Sequence, residues 1–176
     1  MDTLQAIHTR RSIRTYIDQP VPDELIQKLL AATMQAPSAC NQQPWQFIVI
    51  DDRAILTKIP TFMPNAAMVA NAPLAILVCG DLHMHVEKSE GYWVLDCAAA
   101  VENMLLAAHA LGLGAVWCGV YPRDKRMDDL RQLVGLPKNV IAHSLVVLGY
   151  AAEQVPAEDR YRPERVHHNR WPQKGG

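Results

Sequence analysis

The fold is decided by residues 92–119, YWVLDCAAAVENMLLAAHALGLGAVWCG. Apolar residues occupy nearly every side of the first twenty positions, which predicts a buried helix over residues 92–111. Gly112 and Gly114 supply the positive-φ residues that end this helix, and a short apolar strand follows over residues 115–119. A helix that is apolar all round must be covered all round. In a chain of 176 residues, we expect part of that cover to come from a second subunit.

Shorter patterns predict the elements around this helix. Apolar runs predict further strands over residues 46–50, 74–79 and 140–150. Apolar spacing and capping signals predict helices over residues 2–9, 22–35, 54–59 and 123–134, with a looser helix over 66–70. The second helix is expected to turn these residues inward: Leu25, Ile26, Leu29, Leu30 and Met34. The polar residues 81–91 are expected to form a surface loop.

The C-terminal residues differ in composition from the rest of the chain. Residues 153–176 are rich in proline and arginine and carry no core-forming period. No internal repeat interrupts the preceding part. The sequence therefore predicts one α+β domain over residues 1–152, with residues 153–176 as an arm of the same domain.

Composition and charge narrow the classes of protein. With 49% hydrophobic and 20% charged residues, the chain is able to bury a core. Its formal net charge of -1 disfavours nucleic acid as a partner. We find no twenty-residue apolar run and no secretory signal, so we expect a cytoplasmic protein that does not contact a membrane.

A cluster of arginines lies between the first two predicted helices, at residues 10–16, RRSIRTY. The segment is too polar to continue either helix, so we expect it to be extended. Alternation in an extended chain would put Arg10, Ser12 and Arg14 on one face, with Arg11 and Ile13 on the other. Two cations and a hydroxyl on one face would suit an anion, although a solvated turn has the same composition.

Two loops are candidates for contact with a ligand. Residues 36–45, APSACNQQPW, connect a helix to a strand and are rich in small residues, amides and prolines. Residues 112–119, GLGAVWCG, bring a strand to an end on glycine, where backbone N–H groups are free to point at a ligand. Considered singly, each loop is about as consistent with an ordinary connection as with a ligand site.

Other reactive side chains favour structural roles. The cysteines at positions 40, 79, 97 and 118 have no C-x-x-C spacing and are expected to be structural thiols. His83 and His85 lie beside Asp81 but lack a third ligand in the pattern, so no metal site is expected. Trp45, Tyr92 and Trp93 suit a core or an interface, with the floor or lid of a substrate pocket as the alternative for Tyr92 and Trp93.

Taken together, RRSIRTY, APSACNQQPW and the helix that runs into GLGAVWCG resemble the FMN-dependent nitroreductase family, in this order and at these separations. The resemblance covers nearly the whole chain. It implies a nitroreductase-like fold with a central mixed, mostly antiparallel sheet flanked by helices. It also implies a homodimer that exchanges the C-terminal arm and builds each FMN site at the subunit interface.

The resemblance further implies which residues contact FMN. One subunit would hold the ribityl-phosphate and the pyrimidine side of the flavin through Arg10, Arg11, Ser12 and Arg14. The partner would place near the ring Pro37, Ser38, Ala39 and Asn41. Asn65 would meet the pyrimidine edge. The backbone of Trp117, Cys118 and Gly119 would face flavin N5 and O4, and Arg160 would return to the phosphate.

The arm departs from the family pattern at Glu158, where many relatives carry a lysine. A carboxylate repels a phosphate, so either Glu158 points away or the arm docks differently, with Arg162 as a substitute ligand. A phosphate monoester carries roughly -1.5 to -2 charges near neutral pH, and arginine matches its oxygens better than lysine does.

The activity that the resemblance implies is transfer of a hydride from NADH or NADPH, through flavin N5, to a nitroaromatic, quinone or similar small acceptor. Both substrates would use the same place in turn, so the kinetics would be ping-pong. No catalytic side chain is implied, because the cofactor carries the chemistry. Two alternatives remain: a specialised flavin reaction such as reductive dehalogenation or flavin breakdown, and a flavin-binding module without turnover.

Overall fold

The computed structural model describes residues 1–84 and 89–172. Its α-helices are α1 (Thr3–Thr9), α2 (Asp23–Thr33), α3 (Arg53–Leu56), α4 (Trp93–Ala110) and α5 (Asp124–Val134). Its strands are β1 (Trp45–Ile50), β2 (Leu74–Asp81), β3 (Gly114–Gly119) and β4 (Val140–Gly149). Short 3₁₀ turns lie at Ala39–Asn41, Ile59–Thr61, Pro64–Asn71, Leu82–Met84 and Pro163–Arg165.

The strands form one sheet in the order β1-β2-β4-β3. Each pair of neighbours is antiparallel, as where Leu77 of β2 lies opposite Leu145 of β4. Beyond β3, the connection after α1 runs alongside the edge, and Ser12 forms a parallel bridge with Ala115. The prediction of a mostly antiparallel sheet flanked by helices is therefore confirmed, and the described parallel pairing is limited to the bridge between Ser12 and Ala115.

The sheet separates two apolar layers, because successive side chains of a strand point to opposite faces. On one face, Ile76 of β2 packs with Leu29 of α2 and Met104 of α4. On the other face, Leu77 packs with Leu56 of α3 and with residues of α5 and the 3₁₀ segments. Helix α4 thus packs between the sheet and α2, and this packing fixes the positions of both ends of α4.

The long helix agrees with its prediction, since α4 runs from Trp93 to Ala110. Its cover within the chain is incomplete, because Leu95 is 63% exposed. Met34 was expected to be inward and is exposed; α2 ends at Thr33, so Met34 lies in the turn beyond the helical face. No helix within the described ranges is both long and apolar enough to cross a membrane.

The predicted surface loop over residues 81–91 is wrong at Asp81 and Ser89, whereas His83, Met84, Glu90 and Gly91 are exposed as expected. Asp81 is the last residue of β2, and its side chain accepts hydrogen bonds from the Asn139 amide at 2.8 Å and from the His83 N–H at 3.0 Å. Ser89 is buried. The part of this prediction at residues 85–88 lies outside the described residues.

Candidate functional site

The arginine connection begins where α1 ends. Arg10 caps α1, and its Nε lies 3.8 Å from the Glu102 carboxylate of α4. Arg11 donates to the carbonyls of Pro156 at 3.0 Å and Glu158 at 3.2 Å, so it holds the start of the arm. Glu153 completes this attachment by accepting the backbone N–H of Arg14 at 2.5 Å. The N- and C-terminal segments are therefore joined at the edge of the sheet.

Arg10 and Arg11 lie at one cavity of about 450 Å³. Its wall is mainly apolar, with Ile13, Leu105 and Leu113 among the lining residues. The arrangement differs from the expected alternation, in which Arg10 and Arg11 lie on opposite faces. Arg10 still belongs to the end of α1, where its N–H donates to Ala6, so the extended pattern starts one residue later.

His109 of α4 lines the same cavity, and sequence reasoning did not select it. Its Nε2 shares a hydrogen bond with the Thr9 hydroxyl at 2.8 Å. Burial lowers the pKa of His109, and the positive charges of Arg10 and Arg11 lower it further. The imidazole is therefore neutral near pH 7. The charged side chains that line the cavity are those of Arg10, Arg11 and Glu153.

The end of β3 offers an open backbone surface. A Cβ built on Gly119 meets no atom within 4 Å, and the indole of Trp117 is 37% exposed. Between them, the Cys118 thiol is buried, and burial raises its pKa while Arg14 and Arg126 act in the opposite direction. Backbone atoms at Gly119 are therefore accessible to a flat ligand.

Arg126 is a further residue at this strand end that sequence reasoning missed. It lies in α5, and its Nη1 donates to the carbonyl of Gly119 at 3.0 Å. Together with Arg14 it makes the surroundings of Cys118 electropositive. The sequence could have indicated Arg126, because α5 follows β3 after a short turn. The first residues of α5 therefore lie near the end of β3.

The aromatic contacts near this strand end show how Trp93 packs. Its ring meets Tyr121 edge-on with centroids 5.1 Å apart and packs against His143 at 6.0 Å. A Cβ on Gly80 would lie 2.3 Å from the Trp93 ring, so this half-buried indole packs directly on the Gly80 backbone at the border of the core. Burial lowers the pKa of His143 to about 4, and it is neutral near pH 7. Trp45 is likewise buried in the core.

The loop between α2 and β1 forms a second surface. Together with Tyr92, which precedes α4, and Leu95 of α4, it borders an open cavity of about 330 Å³. The loop contributes Pro37, Ser38 and Ala39 to this lining. Tyr92 therefore lies at a surface cavity, unlike Trp93. The neighbouring Asn41 is exposed in the 3₁₀ turn of this loop.

Neither cavity is lined by Asn65, Arg160 or Arg162. Asn65 is exposed in the 3₁₀ segment Pro64–Asn71. In the arm, Arg160 Nε lies 3.6 Å from the Glu158 carboxylate, with both side chains largely exposed. Arg162 donates to the carbonyl of Tyr161 at 2.9 Å. The carboxylate that departs from the family pattern is thus paired with the arginine expected to bind phosphate.

The other reactive groups carry no assembled site in the part of the chain that the structure describes. No group of three or more potential metal ligands occurs among residues 1–84 and 89–172. His83 contacts Asp81 only through its backbone N–H, and His85 lies outside the described residues. All four cysteines are free thiols, of which Cys40 is exposed.

A family model and curated relatives match this chain over most of its length. The model described as "Nitroreductase family" matches residues 7–67 and 62–150. A protein of Methanothermobacter thermautotrophicus named as an NADH dehydrogenase/NAD(P)H nitroreductase is 52% identical over 171 residues, covering 97% of this chain and 88% of that protein. One of Archaeoglobus fulgidus with the same name is 47% identical, covering 97% and 99%.

Solved structures agree with these matches. A protein of Parabacteroides distasonis, described with the same name, has a TM-score of 0.91 at 40% identity, over 96% of this chain and 98% of that one. A nitroreductase from Desulfovibrio desulfuricans, solved in complex with FMN, has a TM-score of 0.82 at 32% identity, over 98% and 99%. Sequence and fold therefore agree, and the chain belongs to the nitroreductase family.

Proposed function

We propose that this chain is an FMN-dependent NAD(P)H oxidoreductase that acts as a homodimer with FMN at the subunit interface. The observation that supports the proposal is that two open cavities, which the resemblance assigns to one FMN site, are separate within a single chain. The cavity beside Arg10 and the cavity beside Ala39 share no lining residue, and both are open. A second copy of the chain would bring one surface of each type together, which is the arrangement that the family resemblance implies.

The residues beside the first surface suit FMN chemically. Arg10 and Arg11 provide positive charge for the phosphate, and the Ser12 hydroxyl lies between them and Arg14 in the chain. Arginine is suited to phosphate because its planar donors match the oxygens in pairs. The space over Gly119 permits close approach of a ring to backbone N–H groups. FMN, when bound, supplies the hydride-transfer chemistry.

The protein's own task is to bind, orient and tune. Positive groups at Arg14 and Arg126 would favour electron-rich ring edges near Cys118. Trp117 and Tyr92 are exposed aromatic side chains that would stack against flat substrates. Proximity and orientation suffice for such a transfer, so no general base is needed. We therefore assign a nitroaromatic, quinone or similar small molecule as acceptor, with ping-pong kinetics.

The dimer would also cover apolar surface that the single chain leaves open. The exposed apolar side chains include Leu4, Ile7, Leu95, Tyr161 and Trp171. The first three lie on α1 and α4, and the last two lie on the arm. Every described residue after Glu153 is exposed, so residues 153–172 have little cover of their own. We assign this arm to the partner's surface, as an extension of the domain formed by residues 1–152.

Glu158 bears on how the arm approaches the phosphate. Its carboxylate is paired with Arg160, while its backbone carbonyl accepts a hydrogen bond from Arg11. An exposed ion pair is worth about 0–1 kcal/mol, so FMN phosphate would displace it at little expense. Arg160 would then turn from Glu158 to the phosphate, and Arg162 would reinforce the same end of the site.

The experiment is spectroscopic. Purified protein, supplied with FMN, should be yellow, and the flavin absorbance should bleach when NADH or NADPH is added without oxygen. A nitroaromatic or quinone should restore the absorbance with turnover. Protein that takes up no FMN would refute the proposal. Protein that binds FMN but is reduced by neither nicotinamide would instead indicate a different flavin reaction or a non-catalytic binding module.

A further inference from the structure

The loop after α2 holds an unfavourable backbone conformation. Cys40, Asn41 and Gln43 have φ values of 53°, 55° and 51°. Left-handed backbone is disfavoured for residues with a Cβ, although asparagine tolerates it better than most. Several such residues in one loop persist only where the surrounding structure holds them. The contacts of this loop therefore identify what holds it.

Asp96 of α4 makes a charged contact with this loop. Its Oδ1 accepts the backbone N–H of Ala39 at 2.9 Å. Inside the loop, the Ser38 hydroxyl accepts the N–H of Gln43 at 2.9 Å, which closes the turn around the strained residues. The bond from Asp96 therefore ties the start of this turn to the most buried helix of the fold.

Asp96 is poorly explained by helix packing. It is 5% exposed and lies between Leu95 and Cys97, in a helix whose other buried residues are apolar. Burial of a carboxylate is unfavourable unless it is paired or hydrogen-bonded. Burial raises the pKa of Asp96, and the Ala39 N–H acts against that shift by favouring the ionised form. Asp96 also lies in the first turn of α4, where the helix dipole favours an acidic residue. The hydrogen bond from Ala39 is the contact that compensates for burial of its carboxylate beneath the loop.

We propose that Asp96 is a positioning residue that fixes Ser38 and Ala39 for contact with the flavin bound by the partner subunit. This rests on the proposed function, in which these loop residues lie near the flavin ring. The cavity between the loop and α4 is lined by Ala39 and Asp96 themselves, together with Tyr92 and Leu95. Its shape therefore depends on the bond between Asp96 and Ala39.

The test uses three variants of the FMN-loaded protein. Asp96→Ala removes the acceptor, whereas Asp96→Asn keeps an acceptor oxygen of the same shape without the charge. Asn103→Ala is the matched control, because Asn103 also lies on α4 and its Nδ2 donates to the Ala32 carbonyl of α2 at 3.3 Å. Amide hydrogen exchange over residues 37–44 reports the loop, and FMN affinity with flavin-band circular dichroism reports the cofactor.

We expect Asp96→Ala to speed exchange at the Ala39 amide at least tenfold, to weaken FMN binding about tenfold and to alter the flavin-band dichroism. Asp96→Asn should change both quantities less than threefold, since the oxygen acceptor is retained. Asn103→Ala should leave both unchanged. If Asp96→Ala does not fold, Asp96→Glu, which displaces the oxygens by one methylene, is judged by the same two measurements.

The outcomes separate this proposal from the function on which it rests. Unchanged exchange at Ala39 in a variant that still binds FMN would overturn the positioning role alone. Faster exchange with unchanged FMN affinity and dichroism would also overturn it, since Asp96 would then be only a structural contact. Wild-type protein that binds no FMN would overturn the proposed function, and this proposal with it.

Discussion

A substitution at Gly119 is expected to affect cofactor binding without damaging the fold. Its φ is not positive, and a built Cβ meets no atom within 4 Å. Gly119→Ala should therefore fold normally and gain about 0.4–1 kcal/mol of stability, because alanine restricts the unfolded chain. The added methyl would instead occupy the space over which the flavin ring approaches the backbone. We expect FMN affinity to fall at least tenfold, which is about 1.4 kcal/mol.

Gly114→Ala is the matched control on the same strand. A Cβ there would lie 2.7 Å from Ile13 Cγ2, so the same methyl should destabilise the fold by about 1–3 kcal/mol. Urea unfolding of FMN-free protein measures the stability of each variant, and FMN titration monitored by flavin fluorescence measures its FMN affinity. Gly119→Ala that binds FMN as tightly as wild type would refute the placement of the ring. Loss of stability in Gly119→Ala would refute the claim that a methyl group at position 119 meets no neighbouring atom.

Three further predictions concern the arginines and His143. Arg10→Ala should release FMN more readily in dialysis, whereas Arg53→Ala, which removes a guanidinium bound to the carbonyls of Ala70 and Ala72, should not. Arg11→Ala should free the arm and speed proteolysis after residue 156, because its guanidinium holds that segment. Since the pKa of His143 falls from 6.5 to about 4 in the fold, the neutral form stabilises the protein above pH 6.5. That contribution, at most about 3 kcal/mol, should be lost as pH falls from 6.5 to 4, and urea unfolding of wild type against His143→Gln measures it.

Each of these predictions has a contrary result. Equal FMN retention in Arg10→Ala and wild type would move the phosphate away from Arg10. Unchanged proteolysis in Arg11→Ala would show that other contacts hold the arm. A wild-type pH profile parallel to that of His143→Gln would show that the imidazole has the same affinity for protons in the folded and unfolded chain. FMN-free protein is used for the stability measurements, because bound ligand adds its own stabilisation.

The elements were predictable where local patterns are strong. The strand predicted over residues 46–50 is observed as Trp45–Ile50, and the helix predicted over 92–111 is observed as Trp93–Ala110. Apolar runs bounded by glycine and proline suffice for this, because the burial that stabilises an element leaves a periodic trace in its sequence. Boundaries were less predictable, and Met34 falls in a turn because α2 ends one residue before it.

The site was predictable only in part. The motifs containing Arg10, Ala39 and Gly119 were selected from their residue types and order. Asp96 and Arg126 were not selected, since each looks like an ordinary polar residue of a helix. What distinguishes them is a partner remote in sequence, with Asp96 bound to Ala39 and Arg126 bound to Gly119.

By itself, the sequence determined the α+β class, the buried helix and the three ordered motifs, because these depend on composition and local periodicity. Only the tertiary structure decided that Arg10 and Arg11 share a cavity, that Trp93 packs against the core while Tyr92 lines a surface cavity, and that Glu158 pairs with Arg160. The physical reason is that such contacts join residues distant in the chain. Their geometry follows from how α4 packs on the sheet, and the local periodicity of the sequence does not predict that packing.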